Sequence, residues 1–337
     1  MARTDVVVTA TAQFVADDRF ASMGNTAHVV VVAHDEPTAT ALLEKAHHCA
    51  ATLETTWSRF IPTSDVSRLN TARGRLMRIS PDTEVLIRHL LAAHEATDGL
   101  FDPFVLPALI AAGYSTSLAG DGRISCAATA PIVRPSASSA YLETVDGETW
   151  CRLLDGATLD PGGLGKGLAA DIIASELLAA GATGVLVNLG GDARAAGTCQ
   201  GEPWQIGIRD DRSTSSPIVA EFDMGDQGVA TSSSLRRRWQ GRHHLIDPNT
   251  GAPTASDVLQ ATVFAPTAWQ AEAMATVALV RGREVFEAWA GSCRYSAFLF
   301  GAEGEPIILS NNAPQTNSPN SNSQIGNAQS KKESINA

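Results

Sequence analysis

The chain is poor in the features that place a protein quickly. Its five cysteines are odd in number, scattered and free of any C-x-x-C pair, which argues against a disulfide framework and against a zinc site. Positive charge is scarce as well. Against 36 Asp and Glu stand 25 Lys and Arg, a formal net charge of -11, so no basic face is offered to nucleic acid and any polyanion must be met locally. No apolar run is long enough to span a bilayer. The start, MARTDVVVTATAQFVADD, lacks the apolar core of a signal peptide, and the expectation is a cytoplasmic protein without membrane insertion.

Standard nucleotide loops are missing too. Residues 159–197, LDPGGLGKGLAADIIASELLAAGATGVLVNLGGDARAAG, combine glycines and a lysine with a helical run. A Walker A loop needs a hydroxyl directly after its lysine and a glycine five positions before the Gly-Lys glycine. Here Gly167 follows Gly165-Lys166, and the first-glycine position holds Asp160. The glycine spacing does not match a Rossmann fingerprint either. What remains is a flexible backbone at a helix start, with Lys166 in the first turn: either an anion site or a plain turn with a solvated lysine.

With 44% hydrophobic residues the chain can bury a sizeable core. The valine run of residues 28–35, HVVVVAHD, predicts a buried strand. Leu42, Ala46, Cys49, Leu53 and Trp57 recur at helical spacing after Pro37 and Thr38, and a second helix fits from Pro81 to a stop at Gly99. Further helices are expected after Lys166 and after Thr267, the last ended by Gly282, with a closing hairpin from YSAFLF and PIILS. His47, His48 and Cys49 are adjacent on a helix and point apart, so they form no metal site. Strands and helices mix without a βαβ period, which predicts an α+β fold. Residues 1–18 read as a polar extension, 19–309 as one domain, and 310–337, rich in Asn and Ser, as a disordered tail.

Three further groupings carry possible chemistry. Glu272 and Thr276 stand at i and i+4 on the last helix, a hard-oxygen pair suited to Mg2+ or else an ordinary carboxylate beside a back-bonded threonine. In RHHLIDPNTG, His244 and Asp247 bring an imidazole and a carboxylate to one strand end, and an extended backbone lets at most one of His243 and His244 face a site. ATSSSLRRRW supplies hydroxyls and three arginines, either phosphate contacts or a charged surface run.

Taken together, MGNTAHVVV, WSRFIPTSDVSRLN, TDGLFDPFVLPAL, LDPGGLGKGLAADIIA, VNLGGDARAAG, WQIGIRD, VATSSSLRRRW, HHLIDPNTGAP and AEAMATVALVRG, in this order, resemble the ApbE family of FAD:protein FMN transferases. The resemblance implies a single compact α+β domain related to tunnelling folds, with mixed or antiparallel sheets flanked by helices. It implies Mg2+-dependent transfer of FMN from FAD, the substrate, to a Thr or Ser hydroxyl of an acceptor protein carrying a flavinylation motif, with release of AMP. Alternatives are hydrolysis of FAD to FMN and AMP, or flavin binding without turnover. Carried over residue by residue, Met23, Phe60, Leu100, Phe101, Asp102, Asp160, Lys166 and Ile246 bind the flavin nucleotide. Gly163, Glu272 and Thr276 hold the metal, while His244, Asp247 and Lys166 serve catalysis. Three positions depart from the pattern: Glu272 and Ala275 where relatives more usually carry aspartate or a further carboxylate, and TSSSL where a glycine often follows Thr-Ser.

Overall fold

The computed structural model describes residues 13–117, 120–127, 136–290, 295–309 and 335–336. Its first half runs β1 (Phe14–Ser22), β2 (Asn25–Ala33), α1 (Glu36–Trp57), α2 (Asp65–Thr71), β3 (Met77–Arg78), α3 (Pro81–Ala96), α4 (Leu106–Ala111), β4 (Ala140–Val145) and β5 (Glu148–Leu153). There follow α5 (Gly165–Ala179), β6 (Gly184–Leu189), β7 (Asp192–Gly197), β8 (Trp204–Arg209), β9 (Ile218–Met224) and β10 (Gln227–Ser233). Four two-residue strands come next: β11 (Arg238–Trp239), β12 (Arg242–His243), β13 (Ile246–Asp247) and β14 (Ala252–Pro253). The chain then forms β15 (Gln260–Ala265), α6 (Ala268–Arg281), α7 (Arg283–Ala290), β16 (Ser296–Phe300), β17 (Ile307–Leu309) and β18 (Ile335–Asn336).

An eight-stranded sheet in the order β1-β2-β6-β7-β10-β15-β16-β17 organises the molecule, and each of its neighbouring pairs is antiparallel. Along β2 the side chains alternate between two cores. Val29 and Val31 join the helices α1, α5 and α6 on one face, whereas Val30 and Val32 join Trp204, Ile206 and Phe222 of the small β8-β9 sheet on the other. An uninterrupted valine run is what a strand covered on both faces requires. Among the described residues helices flank the large sheet on that one side; the second cover is another sheet.

Several sequence-level boundaries shift. Strand β1 begins at Phe14 and pairs along its length with β2, so residues 14–18, expected in the polar extension, belong to the sheet. The tail expected to lack order lies outside the described residues, apart from β18, which pairs in parallel with β8. The predicted helix after Thr267 is α6, with Thr267 as its N-cap residue and Gly282 at its end. Its first N–H groups, however, are not capped by Thr267, whose hydroxyl donates to Gln270. Ala268 and Trp269 donate instead to the carboxylate of Asp171 on α5, at 3.0 and 2.9 Å, which locks the two helices together. No helix among the described residues is long and apolar enough to cross a membrane.

Candidate active site

Where the starts of α5 and α6 meet the ends of β6 and β10, the chain leaves a cavity of about 730 Å³, within the range of small-molecule sites. Two glycines permit the approach. A Cβ on Gly167 would stand 2.4 Å from the backbone oxygen of Ala268, and one on Gly228 would stand 2.2 Å from the Ala268 nitrogen. Both distances are shorter than real Cβ contacts allow, so α6 begins where it does because α5 and β10 carry no side chain there.

This approach sets Glu272 against the first turn of α5. Glu272 is 2% exposed; one carboxylate oxygen accepts from the Lys166 ammonium at 2.6 Å and the other from the Gly167 N–H at 2.7 Å. Asp192, 1% exposed, pairs with the same ammonium from the far side. Burial raises the Glu272 carboxyl above the ordinary carboxylate range and the Asp192 charge adds to this, while Lys166 and the Gly167 N–H oppose. Burial also acts to lower Lys166, yet the two carboxylates outweigh it and hold the amine above its usual value. The first turn of α5 is therefore occupied by a carboxylate from its own chain, and Lys166 is nearly buried; it is not a solvated surface lysine.

Around this centre the walls come from distant segments. Met23 occupies the β1-β2 turn with φ +50°, its N–H held by Glu54 at 2.9 Å. The guanidinium of Arg59 lies 4.2 Å over the Phe60 ring and 4.6 Å over the Tyr114 ring, so one face of Phe60 is already covered. Arg59 also approaches Asp160 at 3.6 Å, and the Asp160 carboxylate accepts from the Gly162 N–H. Leu100, Phe101, Asp102 and Ile246 line the same cavity, as do Gly163 and Thr276. The Thr276 hydroxyl lies 3.5 Å from where a Gly163 Cβ would stand, so these two expected metal donors are neighbours.

The histidine pair divides as the extended backbone predicts. His243 is tied up in its own turn, with Nε2 3.0 Å from the Thr254 carbonyl and Nδ1 accepting from Leu245 N–H. His244 faces the cavity, and its Nδ1 is buried with no hydrogen-bond partner among the described residues. Asp247 is placed differently from expectation. It does not line the cavity, and its carboxylate accepts from Asn249 N–H to close the DPNTG turn. Turn chemistry of this kind is what an Asp before Pro commonly supplies, and it takes the carboxylate away from His244.

Burial pushes the His244 imidazole down to about 3, with repulsion from Arg237, His243 and Lys166 adding to the shift. An imidazole held neutral in the fold but free to protonate near 6.5 when unfolded contributes no penalty above that pH. Stability is lost as pH falls from about 6.5 toward about 3. His244→Asn is therefore expected to flatten the fall in unfolding free energy between about pH 6 and pH 4, by up to about 1.4 kcal/mol per pH unit. Urea titrations of both proteins at each pH check this; parallel slopes would contradict it.

Some of the site escapes local reading. Asp192, Arg59 and Asp171 lie inside the quoted segments VNLGGDARAAG, WSRFIPTSDVSRLN and LDPGGLGKGLAADIIA, but nothing local marks them as site residues. Among the described residues no group of three or more His, Cys, Asp or Glu side chains stands where it could hold a metal. Cys49, Cys126, Cys151 and Cys199 are free thiols.

Known proteins resemble this chain in sequence and in fold. The sequence profile of the ApbE family matches residues 23–299. An FAD:protein FMN transferase of Treponema pallidum is 35% identical over 142 residues, which is 38% of this chain and 39% of that protein, so the match spans about two fifths of that relative's length. One from Haemophilus influenzae is 26% identical over 293 residues, covering 78% of this chain and 80% of the relative. The solved flavin transferase ApbE from Vibrio cholerae superposes with a TM-score of 0.71 at 21% identity, covering 89% of this chain and 98% of that one, a likeness of fold.

Proposed function

The chain belongs to the ApbE family, and from this membership we propose that it is an FAD:protein FMN transferase, moving FMN from FAD to a Thr or Ser hydroxyl of an acceptor protein and releasing AMP. The observation that carries the reading is the unpartnered, buried Nδ1 of His244 in the same cavity as Lys166 and Glu272. A buried polar atom left without a partner costs about 1–3 kcal/mol, and an incoming hydroxyl would relieve it.

In this reading the acceptor oxygen attacks the FMN phosphorus as its proton passes to His244, and the P–O bond to the AMP phosphate breaks. Held neutral by burial, His244 is in the form that accepts a proton. Lys166 supplies fixed positive charge beside the pyrophosphate without reorganising, because Asp192 and Glu272 already hold it. The donor set also suits a hard cation: each Glu272 oxygen keeps lone pairs beyond its one hydrogen bond, and the Thr276 hydroxyl adjoins Gly163. Glu272, Thr276 and the Gly163 carbonyl would hold Mg2+, with the rest of its shell from phosphate and water; when bound it would neutralise pyrophosphate charge. Asp247, engaged in its turn, has no part in the proton transfer.

The test is incubation with FAD and Mg2+, with and without a peptide bearing a flavinylation tag, following AMP, free FMN and peptide mass. A peptide gaining FMN less water, with no such gain when EDTA is present during the incubation, is the expected result. AMP with free FMN alone would assign hydrolysis instead, and FAD bound intact throughout would sink both reactions.

A further inference from the structure

The three consecutive arginines at 236–238 are indistinguishable by composition, but the fold gives them different situations. Arg236 is committed to a protein partner: its guanidinium makes two hydrogen bonds to the Asp211 carboxylate, at 2.5 and 2.7 Å. Arg238 lies on the exposed β11-β12 hairpin opposite His243. Arg236 and Arg237 both line the cavity, and among the described residues nothing accepts a hydrogen bond or ion pair from Arg237.

Two further facts set Arg237 apart. Its φ is +45°, the left-handed region that favours glycine and is unfavourable to a long side chain. Moreover, Lys166 and His244 line the same cavity, and the charge of Arg237 bears unfavourably on both. Lys166 has two carboxylates to balance it; Arg237 has none. A cation that shares a cavity with another cation and a buried imidazole, with no carboxylate of its own among the described residues, is an arrangement completed by an anion.

We propose that Arg237 is a substrate-contacting residue, whose planar guanidinium takes nonbridging oxygens of the pyrophosphate lying beside Lys166 and His244. The assignment rests on the FMN-transfer reading for which molecule carries that pyrophosphate; the anion site itself does not. Arg236 and Arg238 are not part of it.

The backbone makes the test clean. Arg237→Gly removes the guanidinium and places glycine where the backbone conformation prefers it, so the variant is expected to melt no lower than the wild type. Binding of inorganic pyrophosphate, measured calorimetrically without added metal, is expected to weaken about 10- to 100-fold, the loss typical of charge-assisted hydrogen bonds. Arg237→Lys, which keeps the charge but not the fork, falls between, and Arg238→Gln binds as the wild type does. Added guanidinium ion restores part of the loss in Arg237→Gly, which a merely structural role would not produce. Wild-type-like pyrophosphate binding by a folded Arg237→Gly protein, or no binding by the wild type, overturns the proposal. Because this readout needs no turnover, absence of FMN transfer by the wild type would instead count against the function reading.

Discussion

Glu272→Ala is expected to lower FMN transfer about 10³-fold or more, while Glu272→Gln separates the reasons. The carboxylate is at once the partner of Lys166, the acceptor for the Gly167 N–H, and in the proposed reaction a ligand to the metal. Alanine removes all three. It leaves Lys166 paired with Asp192 alone and leaves a buried N–H without an acceptor, and breaking a buried ion pair by deleting one partner costs about 3–5 kcal/mol. Since Asp192 remains, a loss near about 3 kcal/mol is expected from urea unfolding. Glutamine keeps the shape but has a single acceptor oxygen, so it can serve only one of the two donors that Glu272 satisfies; its stability should lie between those of the alanine variant and the wild type while transfer stays depressed, as charge stabilisation of a phosphoryl transition state requires. If Glu272→Gln transferred FMN at the wild-type rate, neither metal ligation nor charge at this position would matter to the reaction.

Gly167→Ala should be about as damaging although it touches no substrate. Its new methyl would meet the Ala268 carbonyl oxygen at 2.4 Å and the Trp269 nitrogen at 2.8 Å. Both are backbone atoms at the start of α6, so relief requires moving the helix. That displacement carries Glu272 and Thr276 away from Lys166 and Gly163, and it disturbs the Asp171 cap on Ala268 and Trp269. Overpacking of this kind costs about 1–3 kcal/mol, occasionally more, and a shift of about 1 Å at reacting groups can cost about 10²-fold in rate. Gly225→Ala makes the control: it has nothing within 4 Å of its would-be Cβ and no positive φ, so it should leave both stability and transfer unchanged. A Gly167→Ala protein as stable and active as the wild type would mean that α5 and α6 can separate without consequence for the site.

Much of the architecture was legible along the chain because it depends on neighbours in sequence. Helical spacing located α1, α3, α5 and α6, and the Gly282 stop falls where α6 ends. The valine run located β2, although not the reason for it, since the second cover comes from β8 and β9. The boundary at residue 18 misplaced the start of β1 because Phe14–Ser22, with its two central aspartates, is an edge strand whose exposed side chains read as polar extension. Motif order pointed to most of the cavity wall, from Met23 to Thr276. Asp247 misled because the same Asp-Pro sequence that suggests a catalytic pair also closes a turn.

Periodicity and local motif thus sufficed for the main helices and β2, the α+β class and the identity of the family, each a matter of residues close together in the chain or segments in fixed order. The site depended on contacts that no local pattern encodes. Lys166 meets Asp192 across 26 positions and Glu272 across 106, and the second meeting depends on a glycine narrow enough for two helices to touch. Which of the cavity-lining pair Arg236 and Arg237 is tied to a carboxylate was likewise settled by the fold, because a side chain's surroundings are set by backbone direction and by neighbours brought from elsewhere in the chain.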